Sequence, residues 1–324
     1  MTPADLSLTV LHAVRRAVGD GALRVDEAAV PRVKVERARA GGTGEYASSI
    51  ALALAGPTGL SALDVAGILK ERLRDAPGLG AVEITGPGFL NFTLRREAGG
   101  ELIRTVLGAG LSYGHGSALT GTSVRLAEPA EARARIVTET VARLLRDQGA
   151  DVTYGEGDGE RIPVRPGAYD PHALGTDAAR WRLLRAAPQD RPLDGPPLLV
   201  QQERNSLFRV RYAHARVRRL LVNGRQLGIT PAYETGVDAP ALLGALGDHP
   251  AALLAAARLR APDRVARHLE STADALLAFQ HTVLPLGDEK PSAAHRSRLA
   301  LAEAAGTVLA GGLFVLGISA PDRI

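Results

Sequence analysis

Arg204, Arg209, Arg211, Arg216, Arg218, Arg219 and Arg225 fall in one stretch of the chain that contains no aspartate or glutamate. A guanidinium is a planar fork that donates two hydrogen bonds to one phosphate, so such a run can hold a polyanion. Its plainer meaning is a solvated basic face. If the stretch is helical, positions 211, 215, 218 and 222 share one face and 209, 212, 216 and 219 another. The second face interleaves arginine with Tyr212, a ring on which a base could stack. Other chemistry is thinner. Gly155-Glu156-Gly157-Asp158-Gly159 follows a strand-like segment, as phosphate loops do, but it carries two acids and runs into prolines, not into a helix. The chain has no cysteine, which excludes disulfides, thiolate zinc sites and a cysteine nucleophile. The eight histidines show no HxxxH or HExxH spacing, so no metal site is expected. No spacing argues for a Ser-His-Asp or paired-carboxylate arrangement, and neither a catalytic residue nor a cofactor is assigned.

These side chains need positioning elements. In the first part, residues 6–18, 48–55 and the stretch from Ser61 to Leu73 read as helices, Ser61 being the N-cap with Asp64 at the capping-box position. Residues 33–37, 81–85 and 89–94 read as strands, the last two joined by Gly86-Pro87-Gly88. The middle reads as strand 124–126, a helix opened by Pro129 and ending at Gln148, and strand 151–154: the start of a parallel β-α-β unit. Residues 176–187 read as a helix. Beyond residue 196 everything reads helical, with an apolar stripe over 199–222, helix starts at Pro250 and Pro262, and long helices over 264–283 and 292–316. Short loops between long helices predict an antiparallel bundle. Net charge is +4 and the only lysines are Lys34, Lys70 and Lys290. A mild arginine excess permits nucleic-acid binding without establishing it. Residues 304–318 are apolar but too short and too glycine-interrupted for a membrane span, and no leader pattern precedes the first helix, so a cytoplasmic protein without a membrane partner is expected.

Two phrases carry a resemblance. Val82-Glu83-Ile84-Thr85-Gly86-Pro87-Gly88-Phe89-Leu90-Asn91-Phe92 resembles the "VE.AGPGFINF" hairpin of the bacterial arginyl-tRNA synthetase N-terminal domain. Phe208-Arg209-Val210-Arg211-Tyr212-Ala213-His214-Ala215-Arg216 resembles the "Y.VQYAHARI" helix leading into that family's DALR-type anticodon-binding domain. Gly44-Glu45-Tyr46-Ala47-Ser48 is similar to its "GDYAT", Gly175-Thr176-Asp177-Ala178-Ala179-Arg180-Trp181 to its "GADALR(Y/W)", and residues 313–324 to "LGVSAPERM". The matches come in the family's order. The resemblance implies an α+β chain in three parts: an α/β N-terminal domain at 1–115, a truncated Rossmann-like remnant of the catalytic domain at 120–195, and an all-α anticodon-binding bundle at 196–324. It implies a tRNA partner, an arginine-accepting one. Arg209, Tyr212, Arg216 and Arg219 are then the residues expected on the RNA, together with Asn91 on the hairpin.

Two of the family's motifs are missing. Where its HIGH-like histidines open the first crossover helix, this chain reads Glu128-Pro129-Ala130-Glu131-Ala132-Arg133. Carboxylates at a helix N-terminus suit its dipole but repel ATP phosphates. The KMSKS-like motif uses lysines, and no lysine lies between Lys70 and Lys290. The stretch between the matching ends, about 75 residues, is shorter than the ~100–150 of a usual domain. The expectation is therefore a chain that is not an enzyme, binding tRNA in a regulatory, sensing or chaperone role. The alternatives are a module with a protein partner and no RNA, and a repurposed enzyme acting on aminoacyl-tRNA or a nucleotide. The resemblance also implies altered base stacking, because the family's final Met is Ile324 here, its "FY" is Phe279-Gln280 and the tyrosine of its "YL" is His268.

Overall fold

The computed structural model describes residues 3–26, 30–38, 43–94, 98–155 and 159–324. It divides into two compact units, 1–102 and 103–324. The second unit contains both the stretch read as a Rossmann-like remnant and the stretch read as a bundle. Of the glycine-rich segment 155–159, residues 156–158 lie outside the described residues.

In the first unit, helices α1 (Pro3–Gly19), α2 (Ile50–Thr58) and α3 (Ala62–Leu73) accompany an antiparallel sheet of order β1-β2-β4-β3, built from Val35–Arg37, Tyr46–Ser48, Phe89–Leu94 and Leu79–Thr85. Leu6, Val10, Ala13, Val14 and Ala17 recur at three- and four-residue spacing on α1 and are fully buried. They share one core with Val65, Leu69 and Leu73 of α3 and with Leu90 and Phe92 of β4. Ser61 caps α3 as its position predicts, its Oγ accepting from the Asp64 N–H at 3.1 Å. Strand β2 was not foreseen. Its three residues are too few to show alternation, and pairing with β4 (Tyr46↔Phe92, Ser48↔Leu90) moves the start of the following helix to Ile50. The β3–β4 turn needs glycine at position 88: φ is +129° and an added Cβ would stand 2.8 Å from the Ala62 carbonyl oxygen. Gly88→Ala should cost about 1–3 kcal/mol, seen as a lowered midpoint when the far-ultraviolet dichroism of the full chain is followed in urea. An unchanged midpoint would mean that the turn tolerates a side chain after all.

Helix α4 (Ala98–Ala109), also unforeseen, carries the boundary between the units. In the second unit, β5 (Ser123–Ala127) and β6 (Asp151–Gly155) pair in parallel from Ser123↔Asp151 to Ala127↔Gly155, with α5 (Ala132–Asp147) between them in the chain. A parallel pair needs a covering layer. Helix α5 packs on β6 and also against α7 (Thr176–Arg185) and α9 (Pro240–Leu259), which ties this β-α-β unit into the bundle. The short helix α6 (Pro171–Leu174) precedes α7. The bundle itself is α8 (Ser206–Gln226), α9, α10 (Asp263–Phe279) and α11 (Ala293–Leu316). Gly306 lets α11 approach α8, since a Cβ there would fall 2.8 Å from Val217 Cγ1. Helix α11 is the one described helix long and apolar enough to cross a membrane, and its apolar window is 78% buried inside the fold.

Two proline readings are corrected. Pro129 does not open α5, because Glu131 is the N-cap and the helix begins at Ala132. Pro250 lies inside α9, which starts at Pro240. An interior proline withdraws the N–H that would bond to the carbonyl four residues back. Here that carbonyl belongs to Leu246, and the Tyr113 hydroxyl donates to it at 3.0 Å. The helix continues because a residue far away in sequence satisfies the orphan.

Candidate nucleic-acid interface

Helix α8 positions most of the candidate residues. Asn205 is its N-cap, accepting from the Phe208 N–H at 3.1 Å while its amide donates to the carbonyls of Leu198 and Val200. Leu207, Val210, Ala213, Val217, Leu220 and Gly224 form the buried seam, so the arginines are left on the flanks.

On one flank Arg209 Nη1 donates to the Glu203 carbonyl at 2.9 Å, and its Nε lies 3.1 Å from the Asp274 carboxylate of α10. Tyr212 is 39% exposed and its ring stacks on Phe208 with centroids 5.6 Å apart. Arg216 Nε donates to Gln280 Oε1 at 2.6 Å. Arg219 is exposed and has no hydrogen bond or ion pair with another described residue. The helix thus brings Arg209, Tyr212, Arg216 and Arg219 onto one strip facing α10. The strip ends at a hollow of about 540 Å³ bordered by Arg216, Asn223, Gln226, Gln280 and His281, with Leu220, Leu284 and Leu286 along its walls. An apolar wall with amide and imidazole groups at the rim suits a flat heterocycle with polar edges. The sequence reading marked Gln280 only as standing where the family has a tyrosine, and it missed Asn223, Gln226 and His281. Gln280 and His281 come just after α10, and nothing local marks them as neighbours of Arg216.

The other flank is occupied. Arg211 lies 3.5 Å from Asp177, Arg218 Nε 2.8 Å from Asp322, and His214 Nδ1 2.9 Å from the Pro321 carbonyl. Burial pushes the His214 imidazolium down, against the pull of the Pro321 carbonyl and Asp322. The neutral ring therefore carries its proton on Nδ1 and donates it to that carbonyl.

Asn91 lies apart, in the first unit. It is 5% exposed, and its amide donates to Thr85 Oγ1 at 2.7 Å across the hairpin. Its side chain braces the turn from within, and Gly86, Pro87 and Phe89 are the exposed residues there.

The start of α5 is closed by its own residues. Glu131 accepts from the Ala134 N–H at 2.7 Å and the Gly167 N–H at 2.8 Å. Burial pushes its carboxyl up, but the backbone donors of Gly167, Ala134 and Arg133, together with the Arg133 charge, outweigh it and hold the group ionised. Arg133 is completely buried and donates to the carbonyls of Leu183, Arg165, Asp190, Ala186 and Ala187 at 2.7–3.0 Å. No group of three or more ligating side chains fit to hold a metal occurs among the described residues.

Comparison with known proteins matches residues 6–94 to the arginyl tRNA synthetase N terminal domain and residues 210–324 to the DALR anticodon binding domain. The chain is 28% identical to the arginine–tRNA ligase of Frankia alni, in an alignment of 559 positions that covers all of both proteins. It is 38% identical to the ligase of Kineococcus radiotolerans over 60% of this chain and 43% identical to that of Renibacterium salmoninarum over 47%. Those two matches span 35% and 30% of the relatives' own lengths. In fold, the chain is similar over its whole length to the arginyl-tRNA synthetase of Thermus thermophilus (TM-score 0.72, 14% identity) and over 99% to that of Plasmodium falciparum (TM-score 0.72, 8% identity). The chain thus carries an arginyl-tRNA synthetase N-terminal domain and a DALR domain. The expectation of a chain that is not an enzyme is corrected by these matches, because the relatives all bear the name of a ligase. Two missing motifs remove particular ligands from a site; they do not measure a rate.

Proposed function

We propose that this protein binds tRNA, an arginine-accepting one, and that its DALR domain receives the anticodon arm along Arg209, Tyr212, Arg216 and Arg219. The observation that carries the reading is the joint presence, on one strip of α8, of these four side chains and the apolar-walled hollow beside Arg216. Phosphates are met by guanidinium groups, and a base is stacked on Tyr212 or received in the hollow. The DALR match over 210–324 supports the same assignment, and the match over 6–94 supports a second, separate contact around the Thr85–Phe89 turn that Asn91 braces.

We assign the protein a regulatory, sensing or chaperone role toward that tRNA in the cytoplasm. The support is that the alignment with the Frankia ligase runs over 559 positions against 324 residues here, the remainder belonging to the relative alone. The β5–α5–β6 unit is, in this reading, what remains of a doubly wound sheet.

Fluorescence anisotropy of labelled tRNA titrated at increasing salt tests the binding. Phosphate contacts release counterions, so affinity should fall steeply with salt, and Arg216→Ala with Arg219→Ala should reduce the logarithmic slope by about two. Tyr212→Ala should weaken binding by about 1–3 kcal/mol with the slope unchanged, as loss of a stacked base would. No binding at low salt would end the proposal.

A further inference from the structure

Residues 317–324 leave α11 at Gly317, where φ is +69° and the chain turns. They then run beside α8 on the flank away from Arg209 and Arg216. Asp177 fixes the near end, accepting from the Ser319 backbone N–H at 3.1 Å and from its hydroxyl. Arg211 Nη2 approaches both partners, 3.4 Å from Ser319 Oγ and 3.5 Å from Asp177. About one turn along α8, His214 donates to the Pro321 carbonyl, and one turn further Arg218 meets the carboxylate of Asp322. Of the α8 arginines on this flank, Arg218 is thus neutralised by a carboxylate of the segment itself, whereas Arg211 is paired with Asp177 of α7 and meets the segment only at the Ser319 hydroxyl.

The two anchors differ in strength. Arg211 and Asp177 are 29% and 22% exposed and share a hydrogen-bonded cluster. Arg218 and Asp322 are 50% and 65% exposed. An exposed ion pair of that kind is weak and readily screened. Engaging several RNA phosphates at once releases counterions, which offsets the loss of one exposed ion pair. Glu303 of α11 also faces the Arg218 charge, and burial pushes its carboxyl up.

We propose that residues 317–324 form a displaceable strap over a second anion-binding position of α8, Arg218, with the Asp322 carboxylate holding the place of an RNA phosphate. The identity of the polyanion rests on the tRNA reading above; the masking itself does not. The strip that carries Tyr212 and Arg219 engages RNA first, and lifting the strap adds a contact at Arg218. The strap thereby sets affinity without occupying the base hollow.

Asp322→Asn in the full chain tests this with two probes. With labelled tRNA, the variant should bind several-fold tighter than the parent and its logarithmic salt slope should steepen by about one. Adding Arg218→Ala should cancel both gains. With inorganic tripolyphosphate, the Arg218 Nε–H resonance should shift in Asp322→Asn at concentrations that leave the parent's unmoved. If neither protein binds tRNA while Arg218 still answers tripolyphosphate only in the variant, the tRNA reading falls and the strap stands. If Arg218 responds equally in both, or in neither, or if the variant binds tRNA no better than the parent while the parent binds well, the strap is refuted.

Discussion

Arg133→Met will destabilise the second unit by about 3–5 kcal/mol, enough to unfold much of it at modest urea concentrations. A buried guanidinium normally rests against a carboxylate. Arg133 instead directs its donors at five backbone carbonyls, three of them on Leu183 and on Ala186 and Ala187, at and just beyond the end of α7. The last carbonyls of a helix have no intrahelical partner. Methionine fills the space of the arginine stem and leaves the buried carbonyls of Leu183 and Ala186 without a donor, each at about 1–3 kcal/mol if nothing rearranges, while the Ala187 carbonyl keeps the Asp190 N–H at 2.9 Å. Burial depresses the Arg133 pKa, while Glu131, Asp190 and Asp263 act to keep the charge. Arg133→Lys is the discriminating partner, because it retains the charge with too few donors in the wrong geometry. It should lose most of the same stability. The chain's single tryptophan, Trp181, sits fully buried on α7 and reports directly on this region. Unfolding free energies from urea curves followed by Trp181 fluorescence, within about 1 kcal/mol of the parent for both variants, would show that the carbonyls find other donors.

The second large effect is acid lability centred on His249. The ring is 1% exposed on α9, stacked on Tyr113 with centroids 5.8 Å apart and tilted against His268 at 5.2 Å. Burial, followed by repulsion from His268 and His115, pushes its pKa well below 6.5. An unfolded chain takes up this proton near pH 6.5, the native chain only at much lower pH. Stability contributed by the neutral ring is therefore fully present above about pH 6.5 and is lost as pH falls from there toward the folded value, at up to about 1.4 kcal/mol per pH unit. His214, also pushed down by burial, adds to the loss in the same direction. Asp147 and Glu303, pushed up by burial, act in the opposite sense, but only as pH reaches the carboxylate range. His249→Phe keeps an aromatic ring against Tyr113 and removes the titration. Its stability should vary less between pH 7 and 5 than the parent's, and identical pH profiles would place the acid sensitivity elsewhere.

Local chemistry was legible in the sequence. Ser61 with Asp64 marks a helix start, Gly86-Pro87-Gly88 marks the hairpin, and the arginine spacing alone sorts α8 into two flanks. Long-range chemistry was not. Pro250 reads as a helix start unless Tyr113 is known to reach the Leu246 carbonyl. Asn91 looks like a surface reader of RNA until its amide is found turned onto Thr85. Arg216 and Gln280 share the edge of the hollow although 64 residues separate them. Nor could periodicity show that residues 317–324 would close over Arg211 and Arg218. It showed only that those arginines share a face.

The proline in α9 limits how this protein can be cut. The DALR match begins at residue 210, yet the carbonyl that Pro250 sets loose is satisfied by a hydroxyl near residue 113. A fragment excised at the match boundary would carry a dangling acceptor in the middle of a core helix and an uncovered His249. Evolutionary module and smallest self-standing piece are therefore not the same length of chain here: independent expression of the helical half has to begin upstream of Tyr113.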